Sequence, residues 1–246
     1  MTNERRRFFV PAGTLKPGQI TLSGDLAHRL ARVLRLRAGD RVVLTEGGPR
    51  QFEVELTDVS AKRVTGVVVG DEAAPVEADV EVVLYQSLIR PNRFDFALEK
   101  GTELGVARFV PVINARSQLQ GEGTPKGRAE RWQRIVVEAA EQCGRGRLPE
   151  IDAPVAFEEA IRSAQGLRVV PYEGEAANRL ADYLRGPGER PRTVSLFIGP
   201  EGGYTDEEVA LARESGATLV TLGRQVLRSE TAGVVAAAIV LHTLDG

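Results

Sequence analysis

The sequence predicts a two-part α/β chain: a small, mostly β barrel over about the first 70 residues, then a parallel sheet covered by helices on both faces. Three observations carry this reading. Short segments before residue 70 alternate apolar and polar residues, as half-buried strands do. Residues 70–78 (GDEAAPVEA) lack periodicity, contain Pro75 and read as a linker. Beyond them, apolar runs without polar alternation are interleaved with helical patterns, which marks strands buried on both sides. The expected domains are 1–72 and 73–246.

The first strand is 7–10. Residues 24–36 interrupt the strands as a helix, with Leu26, Leu30, Val33 and Leu34 at helical spacing. Strand 40–45 puts Val42 and Leu44 on one face, and Gly47, Gly48 and Pro49 turn the chain. Strand 52–56 sets Phe52, Val54 and Leu56 against Glu53 and Glu55, and strand 63–69 follows. In the second part, 80–84 is an apolar strand. Phe94, Leu98, Gly101 and Leu104 then trace a helical stripe ending near Gly105, and 109–113 is a strand again. Residues 118–127 are polar and glycine-rich, a flexible connection. A helix from about residue 128 carries Trp132, Ile135, Val136, Ala139, Ala140 and Cys143 on one face and stops at Gly144. Helix 155–164, strand 168–172, helix 176–184 and buried strand 194–198 come next. Thr205 caps a further helix, with Glu208 completing a capping box. Strand 219–222 and a helix from about Ser229 to Thr243 are the last elements.

Composition narrows the class. A chain of 246 residues with 42% hydrophobic and 27% charged residues is globular, not wholly disordered. One cysteine excludes an intrachain disulfide framework, and with only two histidines a conventional Cys/His metal cluster is not expected. No signal-peptide core follows MTNERRRFFV, and no apolar run is long enough to span a bilayer. The expectation is a soluble, cytoplasmic protein without metal or membrane association. The net charge of −2 is uneven: residues 1–72 carry +3 and residues 73–246 carry −5. A mildly basic first part is compatible with RNA contact without demanding it.

In a parallel α/β sheet, ligands sit where the chain leaves the carboxyl ends of the strands. Three loops qualify: 171–174, 198–208 (IGPEGGYTDEE) and 222–232 (LGRQVLRSETA). The last two flank one helix, so their strands are expected to be neighbours. Gly199, Gly202 and Gly203 allow close backbone approach or positive φ, and Pro200 stiffens the turn. Backbone groups there could read an adenine edge, or the segment is simply a rigid turn that starts a helix. No GxGxxG or P-loop pattern occurs, and Glu201 disfavours a bound phosphate. Arg228 stands at a helix start, where the dipole favours anions, so it faces solvent or is held for an electron-rich ligand. Glu230 fits the dipole. Cys143, near Arg145 and Arg147, is read as a core thiol before a reactive one. Phe8 and Phe9 are read as core before base-stacking groups, and His28 as either partly buried or phosphate-contacting.

At these loops a resemblance becomes specific. IGPEGG at 198–203, followed by LGRQVLRSETA at 222–232, resembles the signature of the SPOUT RNA methyltransferases. More closely, it resembles the bacterial 16S ribosomal RNA (uridine 1498) uracil-N3 methyltransferase family. RRFFV at 6–10, HRLARVLRLRAGD at 28–40, EKGTELGV at 99–106 and AAEQCGRGRLPEI at 139–151 match it in order along essentially the whole chain. The resemblance implies a PUA-like RNA-binding β-barrel and a SPOUT-type parallel sheet with a deep trefoil knot. It also implies a homodimer that binds S-adenosyl-L-methionine in the knotted loops and methylates N3 of uridine 1498 of 16S rRNA in the 30S subunit. The sequence departs from the family at Arg224, where proline is common, which changes the stiffness of that loop.

The chemistry then sets residue expectations. Uracil N3 carries a proton, so the protein must accept it and stabilise negative charge on the base. Arg228 is the first candidate for the charge, Arg116 the second, and Glu201 a candidate proton acceptor. The cofactor walls are expected from Leu196, Ile198, Gly199, Pro200, Gly202, Gly203, Leu222, Gly223, Val226, Leu227, Arg228, Thr231 and Ala232, with Tyr172 and Glu173 near the ribose. RNA phosphate would meet Arg5, Arg6, Arg7, His28, Arg29, Arg32 and Arg35. Rival readings are a SPOUT enzyme acting on ribose 2′-OH or another base, and a non-catalytic RNA-binding ribosome-assembly protein. An unrelated α/β nucleotide enzyme lacks its phosphate loop.

Overall fold

A computed structural model of the chain describes residues 6–15, 18–117 and 125–245. The chain divides into two compact units, residues 1–77 with 140–148 and residues 78–139 with 149–246.

The first unit is a curled five-stranded sheet. Its strands are β1 (Arg7–Phe9), β2 (Gln19–Ser23), β3 (Arg41–Thr45), β4 (Arg50–Val59) and β5 (Arg63–Ala73), in the order β1-β3-β4-β5-β2. β1 runs parallel to β3 and every other pair is antiparallel. The inward positions, Phe8, Ile20, Leu22, Val42, Leu44, Val54, Leu56 and Val64, form one buried cluster with Ala27 and Leu30. Phe8 is thus a core residue. β2 escapes the sequence pattern because only two apolar residues, Ile20 and Leu22, mark its inner face before a helix begins at Gly24. β4 and β5 extend well past the apolar stretch: Phe52 pairs with Asp71 and Arg50 with Ala73. These ends hold by backbone pairing and by cross-strand side-chain pairs, Arg50 with Asp71 and Gln51 Nε2 with Glu72 Oε1 at 2.9 Å, so the linker read at 70–78 loses its first four residues to β5.

The helix read over 24–36 is instead α1 (Gly24–His28) followed by a π-helical turn over 29–33. The wider register shows as Leu34 N donating to Arg29 O at 2.9 Å. It rotates Val33 out of the expected apolar stripe, leaving it 65% exposed, and Arg35 follows with φ +55°.

The second unit is a seven-stranded parallel sheet. β6 (Glu81–Ser87), β7 (Arg108–Ile113), β8 (Glu150–Ile151), β9 (Val155–Ala156), β10 (Leu167–Pro171), β11 (Thr193–Ile198) and β12 (Thr218–Val220) follow the order β12-β10-β11-β6-β7-β8, with β9 also on β7. Alternate residues feed two cores. Val82, Leu84, Phe109, Val169, Val194, Leu196 and Ile198 face α2 (Pro91–Leu104), α5 (Leu180–Leu184) and α7 (Ser229–Leu244), with Trp132 and Val136 of α3 (Pro125–Cys143) in the same cluster. Val112, Val170 and Phe197 face α4 (Phe157–Ser163) and α6 (Asp206–Glu214). Burial on both faces removes polar alternation, which is why these strands are apolar throughout. The expected α/β class, a parallel sheet with a separate curled N-terminal sheet, is what the structure contains.

Four further readings need correction. The strands before the 198–208 and 222–232 loops are not neighbours: β10 lies between them, pairing with both β11 and β12. The chain order alone does not reveal this, because β12 returns across β10. Cys143 is exposed, turned off the face that buries Trp132, Val136 and Ala140. Helix 176–184 shrinks to α5, because Asn178 spends its backbone and side chain on the 219–221 segment: Asn178 Nδ2 donates to Leu219 O at 2.8 Å and Asn178 O accepts from Thr221 N at 2.8 Å. Helix α3 begins at Pro125, inside the connection read at 118–127, while 118–124 lies outside the described residues. Gly105 ends α2 in the left-handed conformation, as read.

Leu196 is completely buried at the centre of the sheet. Leu196→Ala is expected to cost about 2–5 kcal/mol, and Val69→Ala on the exposed end of β5 to change stability by less than about 0.5 kcal/mol. Denaturant melts of both variants check this.

Candidate active site

The carboxyl ends of β10, β11 and β12 open on one cavity of about 720 Å³ in the second unit, within the size range of small-ligand sites. Its walls come from three segments: 171–179 after β10, 198–204 after β11 and 221–229 after β12, with Ala232 of α7 and Arg93 of α2. Placing β10 between β11 and β12 is what brings the 171–179 segment into the site.

Each wall is fastened locally. In the first, Glu175 Oε1 accepts from Ala177 N at 2.8 Å and Asn178 N at 3.0 Å. The Asn178 and Ala177 amides hold the Glu175 carboxyl below the usual carboxylate range. In the second, Gly203 N donates to Pro200 O at 2.9 Å, closing a tight turn with Gly203 at φ +71°. A Cβ on Gly199 would stand 2.9 Å from the Tyr204 ring, so that glycine serves ring packing inside the protein. Burial pushes the Tyr204 phenol well above its ordinary pKa and keeps it neutral. The capping box forms as read: Thr205 Oγ1 accepts from Glu208 N at 3.2 Å and Glu208 Oε2 from Thr205 N at 2.9 Å. Glu208 Oε1 also accepts from Asn114 Nδ2 and Ala115 N, each at 3.0 Å, which ties the chain after β7 to the start of α6. In the third, Gly223 N donates to Thr221 Oγ1 at 3.3 Å, and Val226 beyond it is 76% exposed.

Beneath the cavity runs a buried polar strut that sequence reading missed. Gln86 Nε2, at the end of β6, donates to Ser229 Oγ at 2.9 Å, and Ser229 Oγ donates to Gly199 O at 2.5 Å. Beside it, Ser87 Oγ lies 2.5 Å from Ile198 O and 2.6 Å from Asn114 Oδ1. The available signal was polar residues closing apolar strands, VVLYQS at 82–87 and VPVIN at 110–114.

Of the residues read as catalytic, Arg228 and Glu201 line the cavity together and Arg116 does not. Arg116 Nη1 donates to Gly202 O at 3.0 Å and Tyr204 O at 3.2 Å, holding the loop from outside. Glu201 is paired with Arg93 and has Arg90 Nε 3.9 Å from its second oxygen. Of the cofactor residues read, Tyr172, Glu173, Ile198, Gly199, Pro200, Gly203, Leu222, Gly223, Val226, Leu227, Arg228 and Ala232 line the cavity. Leu196 stands in the core, Gly202 packs on the Arg116 side chain, and Thr231 lies half-buried off the wall. Arg93, Glu175, Arg179, Tyr204, Thr221 and Ser229 line it without having been singled out as cofactor or catalytic residues. The wall thus carries the carboxylates of Glu173, Glu175 and Glu201 beside the guanidinium groups of Arg93, Arg179, Arg224 and Arg228.

In the first unit the basic residues separate into two sets. Arg7 is half-buried, with its guanidinium on Gln51 Oε1 at 2.9 Å and on the Gly144 carbonyl, and burial lowers its pKa. Arg29 Nη2 pairs with Glu141 Oε2 at 2.6 Å, and its guanidinium lies 5.0 Å from the Phe8 ring centre. Arg6, His28, Arg32 and Arg35 are exposed, and Arg5 lies outside the described residues. Among the described residues no cluster could hold a metal ion, and no helix is long and apolar enough to cross a membrane.

The fold and the loops define a class. Residues 76–241 match the family model of the RNA methyltransferase domain, and residues 22–69 match that of the RNA methyltransferase PUA domain. The chain is 34% identical to the ribosomal RNA small subunit methyltransferase E of Synechocystis sp., over 92% of this chain and 74% of that protein. It is 29% identical to that of Bacillus subtilis, over 92% of this chain and 90% of the relative. A crystal structure of ribosomal RNA small subunit methyltransferase E from Neisseria gonorrhoeae, bound to S-adenosyl methionine, superposes with a TM-score of 0.85 at 30% identity, covering 95% of each chain. The chain belongs to the ribosomal RNA small subunit methyltransferase E family of SPOUT-type RNA methyltransferases.

The lowered Glu175 pKa fixes a sign. A carboxyl whose folded pKa is depressed contributes stability above its unfolded pKa and loses it as pH falls through the folded value. The difference in thermal midpoint between wild type and Glu175→Gln is therefore expected to be full at neutral pH and to shrink below about pH 4. Thermal melts of the pair across that range check it.

Proposed function

We propose that this chain transfers a methyl group from S-adenosyl-L-methionine to N3 of a uridine, uridine 1498, in the 16S rRNA of the small ribosomal subunit, and does so in the cytoplasm as a homodimer. The observation that carries the reading is the meeting of Arg228 and Glu201 in one cavity built from the 198–204 and 221–229 loops of an RNA methyltransferase domain.

The residues present suit the cofactor. The cavity volume fits a nucleoside joined to an amino acid, and three carboxylates, Glu173, Glu175 and Glu201, face a ligand that carries sulfonium and ammonium charges. When bound, S-adenosyl-L-methionine supplies a methyl group whose C–S bond breaks as the N3–C bond forms. Gly199, Pro200, Leu222 and Leu227 offer backbone and apolar wall to adenine, and Tyr172 and Glu173 flank the ribose. Glu201 takes the N3 proton, directly or through water. Arg228, exposed at the cavity edge, stabilises the negative charge left on the base. Arg116 acts on the shape of the loop through its two carbonyl contacts rather than on substrate. Arg6, His28, Arg32 and Arg35 are the phosphate contacts of the PUA-like unit.

Two further parts of the reading have support in the fold. The knot is supported by the path of the chain, which returns from β11 across β10 to β12 and then sends α7 back over β6 and β11. The dimer is supported by α7, apolar around its circumference, with Val234, Val235 and Ala238 only part-buried.

Methyl transfer from labelled cofactor to unmodified 30S subunits, with the product nucleoside identified by mass spectrometry, tests the proposal. N3-methyluridine at a single site is expected; a ribose-methylated or other base product would move the chain to a different reaction. Arg228→Ala is expected to lower turnover roughly 100-fold with cofactor affinity unchanged, and unchanged turnover would remove Arg228 from the mechanism. RNA affinity is expected to fall steeply with rising salt, as phosphate contacts require.

A further inference from the structure

Arg93 occupies a position that its own helix does not favour. It stands in the first turn of α2, where the helix dipole repels a cation, and that turn contains no acidic residue. Its side chain is nevertheless 26% exposed, lines the cavity, and is held by carboxylates from two other segments. Glu201, from the loop after β11, pairs with Nη1. Glu230, from the first turn of α7, lies with Oε1 3.7 Å from Nε. Glu230 itself is only 8% exposed, and its Oε2 is buried without a hydrogen-bond partner. A carboxylate this deeply placed is costly unless a cation is kept against it.

We infer that Arg93 and Glu201 together read the Watson–Crick edge of the target base, and that Glu230 positions Arg93 for it. This rests on the reading above. Uracil presents a carbonyl acceptor beside the N3–H donor, and an arginine–carboxylate pair offers the complementary donor and acceptor. At unprotonated N3 cytosine reverses the contact to the carboxylate, and on its C4 side the amino group in place of O4 reverses the contact to the arginine as well. Such a pair accepts uracil and rejects cytosine by setting donor against donor and acceptor against acceptor in a half-buried place. The N3 proton passes to the Glu201 carboxylate, and Arg93 keeps a donor on the carbonyl where charge accumulates.

The test is single-turnover methyl transfer to unmodified 30S subunits by wild type, Arg93→Ala, Arg93→Lys, Glu230→Gln and the Arg93→Ala/Glu230→Gln double variant, with cofactor binding measured by calorimetry. The expected result is a rate roughly 100-fold lower in Arg93→Ala, with cofactor Kd within about 3-fold of wild type and partial recovery on adding methylguanidinium. Arg93→Lys keeps the charge but loses the fork, and is expected to stay at least about 10-fold slow. Glu230→Gln is expected to be about 10-fold slow alone and to add little in the double variant, as a residue acting through Arg93 must. Wild-type rates in both Arg93 variants, or a loss matched by weaker cofactor binding with no methylguanidinium rescue, would overturn the inference. If wild type yields no N3-methyluridine, the parent reading falls and this one with it; if wild type does and the Arg93 variants match it, only this one falls.

Discussion

The hydrogen-bonded chain from Gln86 through Ser229 to Gly199 is the constraint on which the site depends. All three residues sit where apolar strands β6 and β11 end and α7 begins, in surroundings where an unpaired polar group costs on the order of 1–3 kcal/mol. Gln86 therefore has to meet Ser229, and Ser229 has to meet the Gly199 carbonyl. One consequence is local: the first residue of α7 is pinned over the end of β11, so the 221–229 loop must leave β12 and come back across the sheet. The other is chemical: the 198–204 turn cannot shift away from the loop that faces it. Ser87 against Ile198 O and Asn114 repeats the device one residue along, reaching β7. Through Glu208 the same set of bonds extends to α6.

Against this fixed frame the charges acquire meaning. A cavity wall carrying both carboxylates and guanidinium groups is suited neither to a bare phosphate nor to an apolar ligand. It suits a ligand that itself carries both signs of charge, as S-adenosyl methionine does. The two kinds of group are not randomly mixed. Glu201 is engaged by Arg93 and approached by Arg90, Glu175 is engaged by backbone amides, and Arg116 is turned to carbonyls outside the cavity. Arg228, by contrast, stands exposed at the N-cap of α7.

Much of the second unit was legible because burial on both faces writes itself as uninterrupted apolar runs. The strands near 80–84, 109–113 and 194–198, the Thr205–Glu208 capping box and the Gly105 stop all follow from local rules. What was not legible needed information that a linear pattern does not hold. The strand order places β10 between β11 and β12, a matter of long-range pairing. Depth is also hidden: the period of two assigns Leu196 and Ile198 to the same face, and only the fold shows that Ile198 reaches the cavity while Leu196 stays in the core. Arg93 was invisible because a single arginine beside an apolar helical stripe reads as a solvated face. The π-helical turn at 29–33 was invisible because one extra residue per turn leaves the apolar spacing nearly unchanged until Val33.

The first unit shows how composition overstates available charge. Residues 1–72 carry a net +3, yet two of the arginines read as RNA contacts are already spent inside the fold. Arg29 answers Glu141, whose other oxygen accepts from Phe9 N at 3.1 Å, and Arg7 closes on Gln51 and the Gly144 carbonyl. These contacts join β1 and the π-helical turn to residues 140–148 within the same unit, so these two arginines are committed to holding the fold. The groups left facing solvent, Arg32 and Arg35 with His28 and Arg6, cluster on or beside the π-helical turn. That turn also carries the exposed Val33 and leads to the left-handed Arg35. A non-glycine residue in that region is disfavoured by about 1 kcal/mol or more. The net charge of this part therefore says little by itself about the cations it presents, because the fold decides which arginines reach solvent and which are held inside.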